Sequence, residues 1–186
     1  MPSQLRQVMP CGAMLEFQKQ APLKKKPAHV IGRDPANWWR NIQIDLGKRD
    51  GLRVDLPVLA WEGLVGRVSE VRETSSRVVL IGDPSCRVAS LVYVPQNRET
   101  VDTGVITGGS SVLDESIVEL GYLSRASGVK PGQLVITSGL GGIFPKGILI
   151  GQVIDTRPVD FGLVTVARVK LAVRMNLLEE VWVMMP

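Results

Sequence analysis

Turn-forming residues punctuate this chain so densely that long helices have little room. Nineteen glycines and twelve prolines are dispersed through valine-rich segments of a 186-residue sequence, a pattern that suits many short strands joined by tight turns. Ile42, Ile44 and Leu46 alternate with Gln43 and Asp45 before Gly47, as in a half-buried strand that ends in a turn. Glu62-Gly63 stands between two β-rich runs as a hairpin signature, and "SRVVLIGDPS" stops at Gly82-Asp83-Pro84. Further strands are expected over Arg87 to Val94, Val101 to Thr107, Ile117 to Leu123, Leu134 to Ser138, Leu149 to Thr156, Leu163 to Val169 and Leu178 to Met184. About a dozen short strands at this spacing predict an all-β chain built as barrels or a sandwich.

An internal echo refines that expectation. "GLRVDLPVLAWEGLVGRVSEV" (51–71) and "GVKPGQLVITSGLGGIFPKGILIGQVIDT" (128–156) share a glycine start, a valine seven residues in (Val58, Val135) and a closing Gly-x-Val (Gly66 to Val68, Gly151 to Val153). Two related β modules follow, each a small closed sheet that hides its edges. Residues 28–97 are expected to form the first and 98–186 the second, with the C-terminal strand able to return to the first. Residues 1–27 stand apart as a leader. Leu5, Val8, Leu15 and Phe17 suit a helix that Pro10 and Gly12 interrupt, and "APLKKKP" reads as a solvated linker.

The second copy is longer by eight residues, all inside the segment that holds "TSGLGGIFPKG" (137–147). Its glycines do not make a phosphate cradle, because Pro145 and a β-rich run follow where a helix N-terminus is needed. Ser138 lies outside the nucleophile contexts G-x-S-x-G and G-D-S-G-G, and the sole histidine, His29, is its only candidate base. A two-barrel serine hydrolase, active or degenerate, is therefore an alternative that rests on one histidine. Asp45, Asp50 and Asp55 are expected as solvated charges at turns. One histidine and two distant cysteines, Cys11 and Cys86, are too few ligands for a metal site, and no cofactor is expected. Cys86 is expected unpaired in the core.

What remains for the loop glycines is geometry: positive φ or close backbone approach, and a turn at Pro145-Lys146-Gly147. Ile143 and Phe144 then either plug a barrel mouth or stand out as an apolar contact of the hot-spot kind. Trp38, Trp39 and Trp61 face the same choice, and consecutive Trp38 and Trp39 point to opposite sides if both lie on a strand. These five residues are the candidate protein-binding set. Charge argues against a nucleic-acid-binding barrel, the other alternative. Residues 1–33 hold six basic residues and one acid, so the remaining 153 net −1 within a total of +4, whereas such a barrel carries its basic stripe on itself. No apolar run has the roughly 18 to 20 residues of a membrane helix.

With these stretches in view, the chain resembles the MreC family of rod shape-determining proteins, in its extracytoplasmic domain. The matching strings are "AHVIGRDPANWWRNIQIDLGKRDGL", "GLVGRVSEV", "SSRVVLIGDPSCRV" and above all "VKPGQLVITSGLGGIFPKGILIGQV" followed by "LEEVWV", so that the likeness runs from about Met14 to Val183. The leader resembles the end of the family's coiled coil. The resemblance implies two six-stranded barrels of chymotrypsin-like type without the triad. It implies a non-enzymatic scaffold of the cell-elongation machinery, periplasmic or otherwise extracytoplasmic, anchored by an N-terminal membrane helix in the parent protein. The implied partners are the class B penicillin-binding protein that acts as elongation transpeptidase, other rod-complex membrane proteins, and the protein itself as homodimer or filament.

Overall fold

The computed structural model describes residues 24–37, 40–109, 114 and 116–186. The expected leader helix, Cys11, Trp38 and Trp39 lie outside the described residues. The strands are β1 (Lys25–Arg33), β2 (Asn41–Ile44), β3 (Pro57–Leu59), β4 (Leu64–Val71), β5 (Ser76–Leu80), β6 (Val88–Val94), β7 (Glu99–Gly109), β8 (Ile117–Leu123), β9 (Leu134–Thr137), β10 (Leu149–Val159), β11 (Val164–Leu171) and β12 (Glu180–Met184). Pairing is antiparallel throughout, and the strands close into two six-stranded barrels, β1-β12-β3-β4-β5-β2 and β10-β11-β8-β7-β6-β9. Closure leaves neither sheet with an open edge. The all-β, paired-barrel expectation holds.

The two barrels repeat one circular order. If β1 to β5 are matched with β7 to β11, each neighbour relation in barrel one recurs in barrel two, and the remaining slot is filled by β12 in the first and β6 in the second. Each run of six strands thus gives its last strand to the other barrel. The sequence echo is physical: Val58 pairs with Gly66, and Val135 with Gly151, at matching places in the two sheets.

Two expected boundaries shift. The first barrel does not run to Asn97, because β6 pairs with β7 and β9 of barrel two, so the chain crosses between Leu80 and Val88. A strand's alternation reveals its buried face but not which sheet it joins. The linker also ends early: Lys25 and Lys26 pair with Met184 and Val183, and Lys26 reaches the Asp50 carboxylate at 3.3 Å. Pro27 is tolerated because β1 bonds to β12 at Lys24 and Val30, which turns the proline nitrogen toward a flank that β2 does not reach.

Ile42, Ile44 and Leu46 point into barrel one as their spacing requires, and the buried side chains of both barrels form a continuous apolar cluster. Cys86 is buried and unpaired; burial pushes its thiol up to about 12, which makes it inert. Gly66 and Gly151 sit where neighbouring strands come closest. A Cβ at either would overlap the backbone carbonyl of Val79 or Lys170. Gly66→Ala and Gly151→Ala are each expected to cost about 1–3 kcal/mol or more, lowering the melting temperature by roughly 2–4 °C per kcal/mol. Gly121→Ala, where a methyl meets only ordinary contacts, should melt near the parent in the same circular-dichroism scans.

Candidate functional site

The β3–β4 turn and the loop between β9 and β10 hold equivalent places in the two barrels, and they meet. Gly63 packs so closely on the Leu149 carbonyl that no Cβ would fit between them. The turn beside that seam carries Trp61, which is 76% exposed and stacks edge-on against Trp182 of β12, with centroids 5.0 Å apart and planes at 72°. An edge-to-face pair fixes the indole at small entropic cost while leaving its outer face open.

The glycine loop is stapled at its base. Thr137 is fully buried; its Oγ1 donates to the Pro145 carbonyl at 2.5 Å and accepts the Ile148 N–H at 2.9 Å. The Ser138 N–H donates to the Ala89 carbonyl on β6, and the Ser138 hydroxyl accepts the Leu140 N–H. Gly139, Gly141 and Gly142 all have positive φ, between 74° and 87°, which only glycine adopts without strain. The resulting bend folds Phe144 inward, 5% exposed, with Ile143 half-buried, and turns Leu140 outward. Of the two open readings, Phe144 takes the plug. Arg87, Ala89, Val105, Leu140 and Gly141 line the cleft with Ile143 and Phe144; it measures about 190 Å³, below the roughly 300–1,000 Å³ of small-molecule sites.

A second apolar surface, absent from the candidate set above, lies at the other end of β10. The β10–β11 turn holds Asp160 and Phe161 in left-handed conformations, φ 50° and 56°, and leaves Phe161 fully exposed with Leu163 beside it. Tyr122, also exposed and at φ 61°, bulges from β8 where that strand pairs with the start of β11. Non-glycine residues held in this region cost of order 1–3 kcal/mol each and concentrate at functional positions. The arm is braced by the Arg168 guanidinium on the Asp155 carboxylate and by Arg157 on Glu119 at 2.5 Å. Asp-Phe-Gly between two β-rich runs was the available signal. Eleven residues of β10 place the two surfaces roughly 35 Å apart.

His29 and Ser138 do not come together. His29, on β1, meets Asp45 through Nδ1 at 3.0 Å and lies 3.7 Å from Glu180 through Nε2, while Ser138 belongs to the other barrel, where it bonds to Leu140 in its own loop and to Ala89 on β6. The His29–Asp45 contact lies on the exposed face of barrel one, apart from Ser138. The turn aspartates are paired rather than merely solvated: Asp45 with His29, Asp50 with Lys26, Asp55 with Arg67. No group of three or more potential metal ligands converges among the described residues.

The shifted carboxyls all move one way. Arg168's hydrogen bonds hold Asp155 below the usual range, the Gly47 N–H and then Lys26 do so for Asp50, and Ser116 does so for Asp114. Burial works against Asp45 and Asp102, but bonds from His29, and from Ser127, Thr103 and Ser124, outweigh it. That direction is the opposite of the upward tuning a carboxylic general acid requires.

The sequence matches the family model "Rod shape-determining protein MreC, barrel core" over residues 30–185. The chain belongs to the MreC family. It is 37% identical over 145 residues to the cell shape-determining protein MreC of Listeria monocytogenes, covering 77% of this chain and 47% of that protein. It is 36% identical over 138 residues to that of Cereibacter sphaeroides, covering 72% and 43%. The chain thus spans about half the length of the MreC relatives it matches. Among solved structures, MreC from Listeria monocytogenes superposes with a TM-score of 0.80 at 32% identity, covering 97% of this chain and 90% of that one. MreC from Pseudomonas aeruginosa gives 0.75 at 29%, covering 87% and 99%. The MreC fold also recurs, at 14% identity and a TM-score of 0.64 over 88% of this chain and 99% of that one, in a complex between Penicillin-Binding Protein (PBP2) and MreC from Helicobacter pylori.

Two expectations follow. Thr137→Val strands the Ile148 N–H and the Pro145 carbonyl, so it should cost about 1–3 kcal/mol, read as a lower melting temperature. Because the aspartates titrate below their unfolded values, their contribution is complete above the carboxylate range and is lost as pH falls through the folded-state values. Thermal melts should be level near neutrality and decline below about pH 4; a melting temperature that rises on acidification would contradict the pairing.

Proposed function

We propose that this chain is the docking part of a cell-shape scaffold, holding rather than transforming its partners. The observation that carries the reading is Phe161, a fully exposed aromatic on a strained turn at the end of a salt-bridged arm. An isolated side chain of that kind has no role in its own fold, and an aromatic anchor on a rigid support is the usual core of a protein interface. Trp61, backed by Trp182, and Leu140 with Ile143 beside the barrel seam form the second face. Support for the partner class comes from the Helicobacter pylori complex, in which an MreC is bound to PBP2. We assign this chain the corresponding partner, the class B penicillin-binding protein of cell elongation, with other rod-complex membrane proteins and further copies of itself as additional partners. It would act on the extracytoplasmic side of the inner membrane, anchored by an N-terminal helix of the parent protein, with no cofactor and no reaction of its own.

A standard interface buries roughly 800 Å² per partner, more than one turn can offer, so the barrel walls beside each anchor contribute. Binding of the purified chain to the detergent-solubilised elongation transpeptidase should weaken at least tenfold with Phe161→Asp or with Trp61→Ala, at unchanged melting temperature. Wild-type affinity in both folded variants would remove these surfaces from the interface.

A further inference from the structure

The base of barrel one gathers basic side chains from segments far apart in sequence. Lys24 and Lys25 enter at the start of β1, beside the end of β12, where the Met185 N–H donates to the Lys24 carbonyl. The short 3-10 turn Lys48–Asp50 is tied to the same place by the Lys26 ammonium, which donates to the Asp50 carbonyl and carboxylate. Gly51 then packs near the Met185 side chain, with Arg53 two residues on. Lys24, Lys25, Lys48, Arg49 and Arg53 are all exposed, and none is in an ion pair among the described residues.

The neighbouring acids are few. Asp50 is engaged by Lys26, Glu70 by Arg72 and Arg77, and Asp55 by Arg67. Glu73, whose carbonyl accepts the Arg49 N–H, has no ion pair among the described residues, and in the 186-residue chain the Pro186 carboxylate stands beside Met185. The end therefore carries a local excess of about three positive charges, on a chain whose residues beyond 33 net −1 in their side chains. The face is the end of a closed barrel and not a groove. The segments that build it, 24–26, 48–53 and 184–186, contain no aromatic residue for stacking on bases. Next to Arg53 in sequence stands an exposed aliphatic residue, Val54.

We infer that this end of barrel one binds the surface of an anionic phospholipid bilayer through Lys24, Lys25, Lys48, Arg49 and Arg53. Cations spread over the end of a barrel, from segments far apart in sequence, suit a plane of headgroups, which offers phosphates at many lateral positions, and the exposed aliphatic side chain beside Arg53 settles at the headgroup level. The attraction is electrostatic and falls off within a Debye length of about 10 Å at 0.1 M salt. The contact is separate from the docking surfaces, which lie at the barrel seam and on the β10–β11 arm.

The test is co-sedimentation of the full 186-residue chain with sucrose-loaded vesicles. Vesicles with 30% phosphatidylglycerol in phosphatidylcholine should retain the chain at 50 mM NaCl and release it at 500 mM, while pure phosphatidylcholine should not retain it. Each charge removed weakens partition about fivefold, so K25Q/K48Q/R49Q should lose roughly 100-fold at unchanged melting temperature. R125Q/K130Q, on barrel two, should match the parent. Equal retention on neutral vesicles, no retention at low salt, or a triple variant that binds like the parent would overturn the assignment. So would retention of soluble polyphosphate with no vesicle binding. None of these readouts involves the transpeptidase, so the lipid and docking assignments fail independently.

Discussion

Barrel one closes only because β12 inserts between β1 and β3. Without it, two strand edges would carry unpaired backbone groups and the buried side chains of Ala28 on β1 and Val58 on β3 would lose their neighbours. Barrel two is completed in the same slot by β6, which follows directly on the strands of barrel one. The exchange binds the modules more firmly than surface contact does, since neither sheet is complete without a strand reached through the other. The seam at Gly63 and Leu149, and the near-equivalence of the two loops that meet there, rest on this arrangement.

The exposed apolar surfaces depend in turn on that rigidity. Backbone strain at Asp160, Phe161 and Tyr122 persists only if the surrounding sheet over-determines it, and the Arg168–Asp155 and Arg157–Glu119 pairs supply part of that constraint. At the opposite end of β10 the loop is held by Thr137 from within and by glycine conformations from without. An apolar residue on a stiff support loses little freedom on binding, which lets a small area contribute usefully to affinity.

Much of the fold was legible because period-two alternation is a local property. Ile42, Ile44 and Leu46 declare their buried face whatever sheet they join, and Glu62-Gly63 and Gly82-Asp83-Pro84 declare turns by their backbone needs. Partner choice is not local: β6 follows the strands of barrel one in sequence yet joins barrel two, and a lysine run beside prolines has the composition of a linker until Met184 and Val183 pair with Lys25 and Lys26. The site was legible in part. Trp61 and the glycine loop stood out by composition. Whether Phe144 faced in or out depended on how three positive-φ glycines steered the chain, and Phe161 passed unnoticed because a lone aromatic in a hairpin resembles a core residue until the hairpin is seen to project.

The strand exchange also bears on how the molecule is made. A chain emerging from the ribosome presents β1 to β5 first, yet their sheet waits for β12, whereas β6 to β11 are complete at Leu171, before β12 begins at Glu180. The later module can therefore consolidate ahead of the earlier one, reversing the usual order of vectorial folding. A copy cut short before Glu180 would carry a gaping five-stranded sheet, a ready template for unwanted strand addition and a clear mark for proteolysis.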